Sequence, residues 1–415
     1  MNSTTARKRP GLRQRVPGAT GTIAVAQLFG TSLWFSANST AADLMRVWHA
    51  TASDIGWLTS AVQMGFILGT LYISSSGMAD RYAASRIFVL SALAGALFNL
   101  GFAWLATGLV SGAVLRFCVG VCLAGIYPMG MKLIVGWAPE RTGQALAQLV
   151  AMLTLGTALP HAMRFVGAGF PWQLVITASS VLALLGAALV GALGEGPHAR
   201  MARSSAGSAH ATASTWATFR IRAFRAAAFG YFGHMWELYA FWTTVPLLIS
   251  RTALLGAFPR MGVSGLAFCV IGVGALGTLI GGALSRRIGS ARVALGALAM
   301  SGLCALTFSI AWRLLSPTML AVLLLLWGAS VIADSPQFSA LTAKACPPGG
   351  VGGALAIQNS IGFAITVVSI AATTALFGYI GVDATWLLVP GPLLGLTGYA
   401  ATMRDARGGR TSGSV

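Results

Sequence analysis

Apolar runs of about twenty residues recur along the whole chain, and they restrict its fold more than any other feature. Each is long enough to cross a hydrocarbon core of about 30 Å as an α-helix. A segment in lipid must satisfy its backbone polar groups internally, which requires it to be helical. The sequence therefore predicts an all-α membrane protein with twelve transmembrane helices. The predicted spans 1 to 12 are 20–42, 54–76, 86–107, 109–136, 142–167, 172–193, 224–249, 263–285, 292–314, 317–340, 351–377 and 384–403.

Composition agrees with a membrane protein and argues against nucleic-acid binding. Only 9% of the residues are charged, whereas soluble domains carry about 25%. The net charge of +18 comes from short basic clusters between the apolar spans, not from one face of a soluble domain. We therefore expect a lipid bilayer as a partner and no nucleic acid. A small-molecule substrate and a monomeric state are further expectations, which composition does not decide.

The distribution of lysine and arginine predicts the orientation, because cytoplasmic loops of membrane proteins carry an excess of these residues. With the N-terminus inside, twenty of the 27 basic residues fall in cytoplasmic segments and six near the outer face, and Lys132 lies within a span. This bias predicts that both termini are cytoplasmic and that the number of spans is even. We expect the location to be a bacterial inner membrane.

A stretch rich in Ser, Ala, Gly and Arg interrupts the apolar pattern in the middle of the chain and indicates a linker. The predicted domains are a basic N-terminus at 1–19, a six-helix bundle at 20–193, the linker at 194–223, a second six-helix bundle at 224–403 and a tail at 404–415.

The two bundles look like an internal repeat. Duplicated halves place a transporter's substrate site at their interface, near the middle of the bilayer. Four pairs of segments match in the same order: Phe29-Gly30 with Phe229-Gly230, 76–86 with 282–292, Pro128 with Pro336, and 143–147 with 352–356.

The loop GMADRYAASR between spans 2 and 3 resembles the first signature of the major facilitator superfamily. The match departs from the signature at Ser76 and Ala83, where glycines are usual, and the second copy has Arg286 in place of the aspartate. In that family the loop latches the cytoplasmic ends of the two halves. The resemblance implies a latch formed by Asp80, Arg81, Arg86, Gly282, Arg286, Arg287 and Gly289.

Span 4 is similar to the second signature of the family, with Arg116 followed by Gly120 and Gly125. The resemblance implies that this arginine acts on protons or substrate, and the alternative is that it extends to the membrane interface. Span 5 keeps Pro160 but lacks the glycines of proton-driven drug exporters, which weakens the case for drug export. The resemblance covers about 20–403, with loose similarity to nitrate, nitrite and cyanate transporters.

Polar groups inside spans are functional candidates, because they are costly in lipid. Most lie on spans 1, 4, 5, 7, 10 and 11, which line the cavity in the family that the chain resembles. The candidates for substrate binding or proton coupling are Asn38, Arg116, Tyr127, Lys132, His161, Arg164, His234, Glu237, Asp334, Gln358 and Asn359. Gln63, Gln148 and Gln337 are further polar residues within the spans.

His234 and Glu237 share one helix face, because they are three residues apart. We expect proton coupling at Glu237, since an ionised carboxylate near the bilayer centre is expensive unless it is paired or hydrated. Pairing of Glu237 with Arg116 or Arg164 is the alternative, and a metal site would need further ligands that the sequence does not offer. For Asp334 the alternative to a functional role is an ion pair at the cytoplasmic end, for example with Lys344. Lys132 lies near that end too and could extend to the interface.

These features predict a secondary transporter, not an enzyme, that moves a small anion or carboxylate by alternating access with proton coupling, with uptake slightly favoured over export. No phosphate-binding Gly-x4-Gly-Lys loop is present, and no cofactor is expected. The alternatives are a proton-driven exporter of a drug or metabolite and a non-transporting membrane sensor. For the aromatic residues Trp236, Tyr239 and Trp242, taken singly, core packing is the favoured interpretation.

Overall fold

A computed structural model describes residues 16–199, 218–346 and 351–408, and this described part of the chain is built from helices and short connections. Span 1 comprises Val16–Thr31, Ser36–Ser39 and Ala41–Val47; spans 2 to 6 are Ala52–Ser75, Ala84–Leu105, Leu109–Trp137, Thr142–Val166 and Trp172–Leu193; spans 7 to 9 are Arg222–Arg251, Gly262–Ile288 and Ser290–Ala311; span 10 comprises Pro317–Ser330 and Ser335–Ala345; spans 11 and 12 are Val351–Ile380 and Pro390–Gly408. Short helices at Met78–Arg81 and Leu254–Ala257 and 3-10 turns at Pro139–Arg141, Thr218–Arg220 and Gly381–Leu388 lie between spans or beside them.

The helices agree with the predicted all-α membrane fold. Within the described residues, nine stretches are long and apolar enough to cross a bilayer, and one of them, Gly353–Arg404, runs over both span 11 and span 12. Span 1, whose longest helix has 16 residues, and span 7 fall outside this set. The N-terminus before residue 16, most of the predicted linker at 200–217 and the end of the tail at 409–415 lie outside the described residues, so those domain boundaries stay predictions.

Spans 1 and 10 are interrupted near their middle, at residues 32–35 and 331–334. A broken helix leaves carbonyl groups without intrahelical partners, so other groups must bind them. In span 10 the second segment starts at Ser335 with Pro336 in its first turn, a position that a proline accepts without losing a hydrogen bond. Pro128, its counterpart in the repeat, lies inside the continuous helix of span 4. The repeat is therefore not exact at the backbone level.

Glycines bring spans 2 and 4, and likewise spans 8 and 10, into direct backbone contact. A side chain at Gly65, Gly120, Gly277 or Gly328 would overlap the neighbouring helix. The four-residue spacing of Gly65 with Gly69 and of Gly277 with Gly281 predicts close helix packing. The contacts at Gly65 and Gly277 confirm that prediction and repeat the same crossing in both halves. The distances from a Cβ atom to the carbonyl oxygen that it would meet are 2.0 Å from Gly65 to Phe117, 2.1 Å from Gly120 to Val62, 1.9 Å from Gly277 to Ala329 and 1.8 Å from Gly328 to Val270.

The two halves pack against each other mainly through spans 5 and 8. We call the end of the bundle at which span 1 begins the inner end, following the charge bias. At the inner end a Cβ on Gly282 would lie 3.0 Å from the Cβ of Ala147, and at the outer end one on Gly265 would lie 3.0 Å from the ring of Phe165. Gly56 of span 2 packs on span 11 at a second contact. Between these two contacts the halves leave two cavities.

Candidate functional site

Two cavities lie between the halves, one toward each end of the bundle. The outer cavity has a volume of about 1140 Å³ and the inner cavity one of about 410 Å³. Both receive side chains from both halves. Polar and charged side chains in the outer cavity include Asn38, Asp43, Arg46, His161, Arg164, Arg251 and Arg260. Those in the inner cavity include Tyr127, Gln144, Tyr231, Tyr239, Arg286, Gln337 and Asn359.

Six buried aromatic side chains fill the space between the two cavities, and we call them the aromatic layer. Along span 7 the inner cavity reaches Tyr239 and the outer cavity begins at Pro246, so Trp242 lies between them. Spans 1 and 2 of the first half contribute three rings and spans 7 and 11 of the second half contribute the others. The members of the layer are Trp34, Phe35, Phe66, Tyr239, Trp242 and Phe363.

Ring contacts within the aromatic layer join the two halves. The ring of Trp34 lies 5.7 Å from that of Tyr239 at an interplanar angle of 27° and 5.9 Å from that of Phe363 at 22°. Phe66 and Phe363 are 4.5 Å apart. Such pairs stabilise a contact by about 0.5–1.5 kcal/mol beyond the burial of their area. Any movement of one half relative to the other must therefore rearrange this layer.

Arg116 stabilises the break in span 1. Its side chain is fully buried and donates hydrogen bonds to the carbonyl oxygens of Leu33, at 3.0 Å, and of Trp34. It also donates to Ser36 Oγ and Asn99 Oδ1, both at 3.0 Å. The amide of Asn99 is itself fixed, because its Nδ2 donates to span 6. Arg116 thus binds the free carbonyls beside the aromatic layer, so it does not extend to the membrane interface, the alternative that the sequence left open.

Arg164 pairs with an acid that the sequence analysis did not select. Its guanidinium lies 2.9 Å from Asp43 and also donates to the carbonyl oxygens of residues 167, 168 and 170. Asp43, in the last short helix of span 1, also lies 2.8 Å from Arg46. The i,i+3 spacing of Asp43 and Arg46 on a short helix was the available signal. Arg164 consequently fastens the outer end of span 5 to span 1.

Asn38 and His161 lie at the floor of the outer cavity. Asn38 is buried, and its Nδ2 donates to Thr59 Oγ1 at 2.8 Å. His161 is only 1% exposed, and its Nε2 has no hydrogen-bond partner among the described residues. The structure thus brings these two sequence candidates together, whereas Arg116 lies deeper, behind span 1.

Glu237 is fully buried within the second half and is bound by uncharged donors. Ser301 Oγ donates to one carboxylate oxygen at 2.8 Å, and Trp327 Nε1 donates to the other at 2.7 Å. Pairing with Arg116 or Arg164, the alternative considered from the sequence, does not occur, because those two arginines are bound to span 1 and Asp43. Among the described residues no cation contacts this carboxyl group, so little offsets the cost of its ionisation.

His234 contacts Asp334 rather than Glu237. Its Nδ1 lies 2.8 Å from Asp334 Oδ1, and both side chains are fully buried. The contact joins span 7 to the break in span 10, although no well-aligned hydrogen bond reaches either group from the described residues. The alternative expectation that Asp334 pairs with a basic residue at the cytoplasmic end is therefore wrong, since the side chain points into the second half. Residues 335–337, directly after it, line the inner cavity.

Of the remaining candidates, two line the inner cavity and two contact neighbouring elements. Tyr127 and Asn359 line the inner cavity. Gln358 does not, because it is buried and accepts a hydrogen bond of 2.8 Å from Thr342 of span 10. Lys132 donates to the carbonyl oxygen of Ala79 at 2.5 Å, so it contacts the loop between spans 2 and 3.

The predicted latch stays a prediction. The side chain of Asp80 lies outside the described residues. Four of its other members, Arg81, Arg86, Arg286 and Arg287, are exposed. Gly77 and Gly289 have left-handed backbone angles, φ 66° and 88°, which explains why each loop needs a glycine there.

Among the three span 7 aromatics, the structure separates Trp236 from the other two. Trp236 Nε1 donates to the carbonyl oxygen of Leu387 at 2.7 Å, a contact within the second half. Tyr239 and Trp242 belong to the aromatic layer, so core packing within one half does not describe them.

Comparison with known proteins identifies the fold and the family. Residues 23–370 match the family model described as Major Facilitator Superfamily. Among solved structures, the xylose transporter XylE from Escherichia coli, in a partially occluded inward-open conformation, is similar with a TM-score of 0.71 at 12% identity, over 94% of this chain and 99% of that one. A mutant form of the nucleoside transporter NupG is similar with a TM-score of 0.70 at 12% identity, over 93% and 99% of the two chains. At such identities the likeness concerns the fold alone.

Two curated relatives match part of the chain. The 3-(3-hydroxy-phenyl)propionate transporter of Escherichia coli K12 is 31% identical over 133 residues, 32% of each chain. The niacin transporter NiaP of Acinetobacter baylyi is 29% identical over 114 residues, 27% of this chain and 25% of the relative. The matched region thus spans a third or less of either relative's length.

Proposed function

The chain belongs to the major facilitator superfamily of small-solute transporters, and from that premise we propose that it takes up a small carboxylate by proton-coupled symport. The two halves rock about the aromatic layer, so that the outer and inner cavities open in turn. We further propose that it works as a monomer in a bacterial inner membrane with both termini cytoplasmic.

The excess of cationic side chains in the outer cavity supports the proposal of an anionic substrate. Arg46, Arg164, Arg251 and Arg260 line this cavity, whereas Asp43 is the acidic side chain that lines it among the described residues. A cavity lined by one sign of charge raises the local concentration of the opposite ion. The two curated relatives are named for carboxylic acids, which agrees with this sign.

Glu237 is the proposed coupling group. An intramembrane carboxyl group that contacts only neutral donors is favoured in its protonated form and becomes ionised when water reaches it. The neighbouring pair His234 and Asp334 lies beside the inner cavity and offers a second place for the proton. In the proposed transport cycle the proton is loaded from the outer side and released to the inner side.

Counterflow into proteoliposomes of the purified protein tests the substrate class. We expect at least one small carboxylate, from a panel that includes benzoate, nicotinate and propionate, to exchange, and the uncharged solutes xylose and uridine not to. The variant Arg251→Gln removes one cation from the outer cavity. It should therefore raise KM for the carboxylate more than it lowers the maximal rate. Exchange of xylose or uridine with no exchange of any carboxylate would contradict the proposal.

A further inference from the structure

We propose that the aromatic layer is itself the substrate site, and that it takes a planar aromatic monocarboxylate whose oxygens accept hydrogen bonds from Gln63 and Trp242. This inference rests on the proposed function and narrows its substrate class from carboxylates in general to those with a flat ring.

The rings of the layer are arranged to accept another ring. Trp34 faces Tyr239 and Phe363 of the opposite half at interplanar angles of only 27° and 22°. A flat ring that enters when the halves separate can stack on faces from both halves, which are exposed by the loss of these contacts. Aromatic faces favour another aromatic ring over a saturated ring of equal size, because the stacked geometry suits their quadrupoles.

Two buried N–H donors beside these rings have no acceptor among the described residues. Gln63 is fully buried, and its Oε1 accepts from Trp34 Nε1 at 3.3 Å, so its Nε2 is directed elsewhere and has no partner. Trp242 is also fully buried, its ring is 5.4 Å from that of Tyr239, and its Nε1 has no partner. Buried donors are nearly always paired in folded proteins, so two orphan donors that both adjoin the aromatic layer indicate a missing acceptor.

A carboxylate fits these donors because, when ionised, it offers only acceptor atoms. The two donors come from different halves, span 2 and span 7, so a bound carboxylate would connect the halves as the stacked ring does. The carboxylate is not assigned to Arg116, since four of the hydrogen bonds of this arginine go to acceptors of the first half, although its Nε has no partner among the described residues.

Binding measurements on the full-length protein in detergent test the ring preference directly. The probes are benzoate, cyclohexanecarboxylate, which keeps the charge but lacks the flat ring, and benzyl alcohol, which keeps the ring but lacks the carboxylate. We expect each of the last two to bind about tenfold more weakly than benzoate. Equal affinity for benzoate and cyclohexanecarboxylate would overturn the inference, while carboxylate exchange in proteoliposomes would leave the proposed function intact.

Variants of the two donors test where the carboxylate binds. Trp242→Phe keeps a ring and breaks no described hydrogen bond, and we expect it to weaken benzoate binding about tenfold. Trp172→Phe is the matched control, a buried tryptophan whose ring contacts Trp48 and Phe102 away from the layer, and it should bind benzoate like the wild type.

A second variant, at Gln63, and its control, at Gln27, test the other donor independently. Gln63→Leu should also weaken benzoate about tenfold, whereas Gln27→Leu, which removes another buried amide, packed near Gly130, should not. Wild-type affinity in both Trp242→Phe and Gln63→Leu would refute the assignment of the donors. If a variant fails to fold, the comparison of probes on the wild-type protein still decides the ring preference.

Discussion

Replacing Arg116 by methionine tests whether this arginine stabilises the break in span 1. Methionine keeps much of the length and volume of the side chain but removes all the donors, so Leu33, Trp34, Ser36 and Asn99 each lose one hydrogen bond. Ser36 Oγ still lies within hydrogen-bond distance of Leu33 O and Asn99 Oδ1. Hydrogen bonds between helices in membranes contribute about 0.6 kcal/mol each, so the four bonds together are worth about 2.4 kcal/mol. The Trp34 carbonyl, left buried without a described donor, adds a further penalty, and we expect a total loss of about 3–5 kcal/mol.

That loss should appear as a lower melting temperature. With an unfolding entropy of about 2.1 cal/mol/K per residue, a chain of 415 residues loses roughly 4–5 °C for 4 kcal/mol. Cys122 and Cys304 are buried, so a thiol-reactive dye reports the unfolding. Arg225→Met, at an exposed arginine outside the predicted latch and both cavities, is the control and should melt like the wild type. A melting temperature of Arg116→Met equal to that of Arg225→Met would refute the structural role.

Three further predictions concern the latch, the topology and the glycine crossings. Asp80→Asn should reduce transport while the protein still inserts, because it removes a charge from the loop that the family uses to latch the halves; full activity in uptake assays would count against a functional latch. Single cysteines placed at 200–217 should be labelled from the cytoplasmic side only, and labelling from outside intact cells would contradict the six-plus-six topology. Gly328→Leu should prevent folding, because its Cβ would lie 1.8 Å from the carbonyl oxygen of Val270; a monodisperse, ligand-binding variant would show that the crossing of spans 8 and 10 is not as close as described.

The sequence was sufficient to predict the spans and the repeat because both depend on patterns that are local or periodic. Apolar length alone identifies a helix in lipid, and the glycine spacing in spans 2 and 8 predicts close contact without any knowledge of the neighbour. Gly65 and Gly277 do pack against carbonyl oxygens of spans 4 and 10.

The site could be predicted only in part, because partners distant in sequence decide what each polar residue does. The break in span 1 falls in Ser-Leu-Trp-Phe, which contains neither proline nor glycine, so nothing local marks it. Arg116 could be recognised as costly in lipid, but its acceptors in span 1 lie 80 to 83 residues away along the chain. Asp43 was overlooked because its partner Arg164 is 121 residues distant.

The sequence did not predict the aromatic layer, because its rings also come from segments that are distant along the chain. Phenylalanine and tryptophan are ordinary residues of membrane helices, and no pattern within one span shows that its rings meet those of the other half. Trp34 and Tyr239, for example, are separated by the linker and by five spans. A search for aromatic residues at matching depths in spans 1, 2, 7 and 11 would have been the nearest usable signal.

Transport by Glu237→Gln under a pH gradient is the most direct test of proton-coupled alternating access. The glutamine imitates the protonated carboxyl group, because its Oε1 can accept from Trp327 Nε1 while its Nε2 donates to Ser301 Oγ. In proteoliposomes loaded at a higher internal pH, the wild-type protein should accumulate the carboxylate that it exchanges. Glu237→Gln should exchange that carboxylate at equilibrium but should fail to accumulate it. Accumulation by Glu237→Gln with the pH dependence of the wild type would contradict coupling at this residue.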